Sequence, residues 1–273
     1  FGIGESSEGK SSISLESQNS NIQENYISKT SDGGYVGVHD GTITKYDKDF
    51  NVEWQNSSLN WNDWTYNGYT RGLQKVVQTY DGGYLALSVK SLVKYTSSGS
   101  IEWKKENNAN DNYSNFADFT ISNDGNILLV AYVSSDNDSA DYVSVSSKSF
   151  VNVQKLNMDS TEIWTKNLYS GYEYNDSHSD VVRVYEDSQN CILVYFSRED
   201  GYTQMLYKLD SDGKEIFGRI FDNDTDLNTY GTRFIILLND VIEVNDGYVF
   251  AGMVKGRSAA YGIYEDIDKY NTY

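Results

Sequence analysis

The chain has 273 residues, 40 acidic side chains against 22 basic ones, a formal net charge of −18, one cysteine and no proline. That charge repels phosphate backbones and anionic lipid surfaces, which argues against nucleic acid and membranes as partners. No apolar run approaches the roughly 20 residues of a membrane-spanning helix, and the single Cys191 excludes an intrachain disulfide or a multi-cysteine metal cluster.

In chain order, the first strand signal is the segment 12–17, where Ser12 to Glu16 alternates in hydrophobicity. A unit of short strands follows over 26–57 and a second over 75–106. In the second, Val76 to Thr79 predicts a strand and Asp81-Gly82-Gly83 a turn with glycines free to take positive φ. Tyr84 to Val89 and Ser91 to Tyr95 predict two more strands, Ser97-Ser98-Gly99 a turn, and Ile101 to Lys104 a fourth strand. The pattern returns over 118–168 and 180–221, and in part over 240–273. Repeated units of four hairpin-joined strands, at a loose spacing of about 50–60 residues, are the signature of β-propeller blades. The expectation is one all-β domain: a five-bladed β-propeller whose last blade is completed by the N-terminal strand 12–17, which resembles Ser100 to Lys104 and would cover an otherwise open sheet edge.

One phrase marks every unit: Lys45-Tyr46-Asp47, Lys94-Tyr95-Thr96, Lys155-Leu156-Asn157, Lys208-Leu209-Asp210 and Lys269-Tyr270-Asn271. In the first four a Trp or Phe follows at Trp54, Trp103, Trp164 and Phe217. Across the same hairpin stand Glu53, Glu102, Glu162 and Glu215, which predicts cross-strand pairing with the lysines. The aromatic residue is expected to anchor neighbouring blades.

The phrases Asp32-Gly33-Gly34-Tyr35, Asp81-Gly82-Gly83-Tyr84 and Asp246-Gly247-Tyr248, each followed by the lysine phrase, resemble repeats of secreted bacterial β-propellers. Ser98-Gly99-Ser100-Ile101-Glu102-Trp103 also looks like quinoprotein-type blades and, more loosely, the Asp-box hairpins of sialidases. The resemblance implies a propeller architecture and a bacterial secreted or cell-surface location, and it leaves activity open. The cofactor-dependent quinoproteins would need eight blades where five fit, and no motif supplies a sialidase's three arginines.

Candidate ligand-binding residues lie in the unrepeated segments between units. Trp61, Trp64, Tyr66 and Tyr69 occupy the first, Tyr113 the second, Tyr172 and Tyr174 the third, and Tyr230 the fourth. Flat aromatic faces beside Asn and Asp suit the apolar faces and polar edges of a sugar, and Tyr and Trp equally anchor protein partners. Each aromatic also admits the plainer role of tucking its own loop onto the fold.

A second constellation arises when the units are aligned at their first turn, which places Tyr26, Lys75, Asp118, Asp180 and Asp240 at equivalent inner-strand positions. Asp118, Asp180 and Asp240 would then face a channel mouth, as a cation site, as an acid and base set for glycoside hydrolysis, or as hydrated strand ends. Asp222, Asp224 and Asp226 alternate like the start of a Ca2+ loop. Leu227 replaces its glycine and Arg233 its closing glutamate, so a solvated acidic loop is the alternative. No nucleophile and base share a motif. The expected function is a noncatalytic, monomeric binding module for a glycan or a protein, with a glycoside hydrolase and a purely structural module as alternatives.

Overall fold

The computed structural model describes residues 26–39, 41–58, 65–66, 69–70, 75–107, 115–133, 148–173, 181–197, 203–222, 232–245, 247–258 and 267–269. Among them there is no helix. The chain divides into two compact units, Phe1–Asn108 and Ala109–Tyr273. The predicted strand 12–17 lies outside the described residues.

In the first unit, β1 (Tyr26–Lys29), β2 (Tyr35–His39), β3 (Thr42–Tyr46) and β4 (Val52–Asn56) form an antiparallel sheet in chain order. A small hairpin of β5 (Thr65–Tyr66) and β6 (Tyr69–Thr70) follows. Next come β7 (Lys75–Gln78), β8 (Tyr84–Leu87), β9 (Ser91–Tyr95) and β10 (Ile101–Glu106), a second sheet of the same order. Val36, Val38 and Ile43 of the first sheet pack against Val76, Ala86 and Val93 of the second, all fully buried. Every residue of β8 and β9 is buried, which accounts for their nearly unbroken apolar sequence.

In the second unit, β11 (Asn115–Ile121), β12 (Ile127–Val133), β13 (Lys148–Leu156) and β14 (Glu162–Glu173) form one four-stranded sheet. β15 (Val181–Glu186), β16 (Ile192–Ser197), β17 (Thr203–Leu209) and β18 (Glu215–Asp222) form the next. β19 (Thr232–Val244), β20 (Gly247–Ser258) and β21 (Ile267–Lys269) make a three-stranded sheet. Valines 130, 151 and 153 pack against Val182, Val194 and Phe196, and Tyr195 and Leu206 pack against Val241 and Phe250.

The first turns of the first two sheets explain their repeated Asp-Gly-Gly. Asp32 Oδ1 accepts from Thr30 Oγ1 at 2.5 Å and from the Gly34 amide at 2.9 Å, an Asx-type closure of the turn. Gly33 takes φ +85°. A Cβ on Gly34 would stand 2.6 Å from Lys45 Nζ, so the second glycine makes room for a buried ammonium. Asp81, Gly82 and Gly83 repeat the arrangement.

The repeat lysine therefore has a partner that the sequence reading did not assign. Lys45 pairs with Asp32 at 2.9 Å, Lys94 with Asp81 at 2.9 Å, Lys155 with Asp124 at 2.6 Å and Lys208 with Asp187 at 3.1 Å. The expected glutamates join in the first two sheets, Glu53 at 2.8 Å and Glu102 at 3.3 Å. There the glutamate is the extra residue of a β-bulge opposite the lysine phrase. In the next two sheets the bulge holds Ile163 and Ile216, while Glu162 and Glu215 stand one residue earlier, opposite Leu156 and Leu209. The predicted glutamate register thus holds for two sheets and slips by one residue in the others.

Contacts between sequential sheets inside each unit also repeat. Trp54 Nε1 donates to the Ser97 carbonyl at 3.2 Å, and Trp164 Nε1 to the Ser211 carbonyl at 3.2 Å, so each indole covers the outer turn of the following sheet. The backbone amide of the first turn donates forward to a side chain on the next inner strand: Ser31 to Gln78 at 2.7 Å, Asn123 to Glu186 at 2.5 Å and Ser188 to Glu243 at 2.8 Å. These bonds satisfy turn amides that hydrophobic packing alone would leave unpaired.

Candidate functional site

Antiparallel alternation puts the tight, repeated turns at one end of each sheet. The second-to-third connections and the exits toward the next inner strand lie at the other end. The candidate aromatics fall on these exits. Trp61, Trp64, Tyr113, Tyr174 and Tyr230 lie outside the described residues, whereas Tyr172 is in β14 and Tyr66 and Tyr69 are in β5 and β6. Asp222 ends β18, and Asp224 and Asp226 lie outside the described residues. No group of three or more potential metal ligands occurs among the described residues.

The exit between the first two sheets has secondary structure of its own. Thr65 pairs with Thr70 and Tyr66 with Tyr69 across Asn67-Gly68, a dipeptide whose preference for positive φ favours a two-residue hairpin turn. Tyr66 and Tyr69 therefore hold directly opposed positions. The root of this segment is fixed to both sheets. Ser57 Oγ lies 2.9 Å from Thr42 Oγ1 on β3, and Ser58 Oγ lies 3.0 Å from the Tyr95 hydroxyl on β9. Tyr95 is fully buried, and that burial raises its pKa against the opposing effect of the Ser58 bond. Asn56 Nδ2 adds a 2.8 Å bond to the Gly99 carbonyl.

At the inner strands, pairing register replaces the sequence alignment. Asp118 is opposite Val130, three residues before Ile121, and Asp240 is opposite Ala251, three residues before Glu243. The equivalent residue of the fourth sheet is Arg183, opposite Tyr195, and Asp180 lies three residues earlier, outside the described residues. Lys75 and Tyr26 hold the position in the first unit, opposite Leu87 and Val38. The series in the second unit is thus carboxylate, guanidinium, carboxylate. The fourth turn also departs from the others, with Asp187 at the place of Thr30 and Gln189 at the place of Asp32.

Asp118 is 3% exposed. Its Oδ1 accepts from the Phe119 amide at 2.8 Å and its Oδ2 from the Val184 amide at 3.1 Å. This carboxylate ties β11 to β15 by satisfying a backbone donor on the neighbouring inner strand.

No protein-family model matches the sequence, and no curated protein does. Among solved structures the chain is similar to a protein of unknown function from Bacteroides caccae, with 11% identity over 83% of this chain and 69% of that one, at a TM-score of 0.46. It is also similar to the endo-arabinase from Bacteroides thetaiotaomicron, with 13% identity over 90% and 89% of the two chains, at a TM-score of 0.43.

The polar cluster that the sequence reading missed altogether joins the last two sheets. Lys208 Nζ reaches Asp187 at 3.1 Å and the Tyr248 hydroxyl at 2.8 Å, and that hydroxyl donates in turn to Asp187 Oδ2. The ammonium also lies 5.2 Å from the Tyr248 ring centroid. Burial pushes the Asp187 carboxyl up, but the bonds from Tyr248, the Cys191 amide and Lys208 outweigh it and hold the carboxyl below its ordinary range. The bond to Tyr248 and the Asp187 charge raise Lys208. A signal existed in the sequence: each Lys-Tyr or Lys-Leu phrase is preceded by an Asp in a Gly- or Asn-bearing turn.

Proposed function

We propose that the protein is a noncatalytic binding module that recognises a glycan or a protein through the aromatic segments between its sheets, Trp61, Trp64, Tyr66 and Tyr69 foremost. The observation that carries this reading is the β5–β6 hairpin. It is an inter-sheet exit ordered by its own backbone pairing, with two tyrosines opposed and its root bonded to Thr42 and Tyr95. A backbone held by strand pairing spends less conformational entropy on binding than an unpaired loop. Tyr113, Tyr172, Tyr174 and Tyr230 are proposed as further contacts on the equivalent exits. In the same reading the module is a monomeric five-bladed propeller of a bacterial surface or secreted protein, its last sheet completed by the strand 12–17.

Glycoside hydrolysis by Asp118, Asp180 and Asp240 would require Asp118 to offer a carboxyl oxygen to substrate. Both of its oxygens are engaged by backbone amides, which favours the binding reading. The test is a glycan array and an immobilised-protein partner screen with the wild type and with Trp61→Ala and Trp64→Ala. Retention of a ligand by the wild type, lost in the variants at an unchanged thermal midpoint, is the expected result. Release of reducing sugar from any polysaccharide, abolished by Asp118→Asn, would overturn it.

A further inference from the structure

The seams between neighbouring sheets use acceptors of different chemistry. Between the first two sheets the Ser31 amide donates to Gln78 Oε1 at 2.7 Å, the Trp54 indole to the Ser97 carbonyl and Asn56 Nδ2 to the Gly99 carbonyl. These acceptors are neutral. Between the last two sheets the Ser188 amide and hydroxyl donate to Glu243 Oε2 and Oε1, each at 2.8 Å, and the Tyr248 hydroxyl donates in the opposite direction to Asp187 Oδ2. These acceptors are carboxylates. Gln78, opposite Tyr84, and Glu243, opposite Tyr248, hold the same place in their sheets, so one position carries an amide in the first unit and an acid in the second.

We infer that the turn end of the seam between the last two sheets is an acid-released joint, in which protonation of Glu243 frees the Ser188 turn while the seam between the first two sheets stays closed. A carboxylate accepting from neutral donors makes bonds roughly twice as strong as a neutral acceptor does. Protonation removes that advantage and turns one of the two oxygens into a donor, facing the donors of Ser188. Antiparallel register puts Arg183, Tyr185, Tyr195, Lys208 and Arg219 on the face of the fourth sheet that meets this seam, beside Asp187 on the first turn, with Glu186 and Glu215 on the opposite face. Tyr248 stands across from Glu243 on β20. Arginine, lysine and tyrosine keep their charge state below pH about 7, so Glu243 and Asp187 are the members of this set that titrate in acid. Burial pushes the Asp187 carboxyl up, and the bonds from Tyr248, the Cys191 amide and Lys208 outweigh it, so Asp187 stays ionised further into acid than an ordinary aspartate. It keeps Tyr248 in place. The packing of Tyr195 and Leu206 against Val241 and Phe250 is indifferent to pH, which confines the release to the Ser188 turn.

The test is amide hydrogen exchange of the intact protein at pH about 7 and about 3.5, values that bracket the titration of a free glutamate near about 4.3. Protection is expressed against the intrinsic exchange rate at each pH. In the wild type the Ser188 amide is expected to lose about fivefold to tenfold of its protection at the lower pH, and the Ser31 amide less than about twofold. Glu243→Gln keeps an acceptor without the charge, so Ser188 should then be weakly protected, and equally so at both pH values. Gln78→Glu is the converse variant and should confer the acid response on Ser31. An unchanged Ser188 amide in the wild type, or equal losses at Ser188 and Ser31, would overturn the inference. A Ser188 response that survives Glu243→Gln would overturn the assignment to Glu243. Absence of a response at Ser31 in Gln78→Glu would overturn acceptor charge as its cause.

Discussion

Trp54 lies across Gly99 of the following sheet, so close that a Cβ on that glycine would stand 2.5 Å from indole Cε3. Gly99 also takes φ +83°, a conformation that costs an L-residue about 1–2 kcal/mol. Gly33 has φ +85° but nothing within 4 Å of its would-be Cβ. Gly99→Ala is therefore expected to lose about 3 kcal/mol or more, and Gly33→Ala only about 1 kcal/mol. Urea denaturation of the two variants measures the difference. Equal losses would mean that the indole contact contributes nothing to stability.

The lysine and aspartate paired at the first turn of the second sheet differ in their access to water. Lys94 is buried, whereas the Asp81 side chain is about half exposed. Asp81→Ala leaves a buried ammonium with Glu102 at 3.3 Å and the Tyr95 carbonyl, and should cost about 2–3 kcal/mol. Lys94→Met leaves a carboxylate that water can solvate and fills the vacated volume, so about 1 kcal/mol is expected. Reversal of that order in chemical denaturation would show that the charge on the lysine is not what the turn is built around.

Acid should weaken the fold through the same aspartates. Bonds from Thr30 and then Lys45 hold Asp32 below its ordinary range. For Asp81, burial pushes upward but the bonds from Thr79 and Lys94 prevail and bring it to about 2. For Asp124, burial likewise pushes upward and the bonds from Lys155 and Ser122 outweigh it. Folded-state values below the unfolded value of 3.8 mean a stabilising contribution that is full above that pH and lost as pH falls through the folded values. The urea midpoint is expected to drop between pH about 4 and about 2 on account of these groups. Asp81→Asn should start lower at neutral pH and fall less steeply.

Much of this was legible from the sequence, because its signals are local. Asp81-Gly82-Gly83 and Ser97-Ser98-Gly99 mark turns by backbone preference, and the strands between them fall within one or two residues of expectation in the second sheet, β7 to β10. Legibility ended where partners are distant and residue types vary. Gln78, Glu186 and Glu243 do the same work, accepting a turn amide from the preceding sheet, yet Ile121 and Lys29 stand at that register position in the other sheets. The fourth turn carries its carboxylate at Asp187 rather than at the place of Asp32, and the register puts Arg183, not Asp180, at the inner position. The aromatic exits vary most. Of the eight aromatic candidates, Tyr66, Tyr69 and Tyr172 fall within described strands.

Tyr248 tests the Lys208–Asp187 pair where it is joined from the neighbouring sheet. Tyr248→Phe keeps the ring over Lys208 and removes the hydroxyl that accepts from the ammonium and donates to Asp187. A loss of about 1–2 kcal/mol is expected, because the ion pair at 3.1 Å and the amides on Asp187 remain. Tyr248→Leu should lose more, through the apolar contacts with Leu193 and Tyr195. Two equal losses would assign the whole effect to the hydroxyl.

Asp118 separates a structural carboxylate from a chemical one. Its oxygens take the amides of Phe119 and Val184, so Asp118→Asn keeps one acceptor oxygen and places an amide donor against a backbone N–H. That substitution is expected to cost about 1–3 kcal/mol. Asp118→Ala strands the Val184 amide and opens a small void, and should cost as much or more. Hydrogen exchange supplies the discriminating readout: the Val184 amide should lose protection in Asp118→Ala ahead of the other β15 amides. Unchanged protection at Val184 with intact stability would release Asp118 from its bridging role and return it to consideration as a group that acts on a ligand.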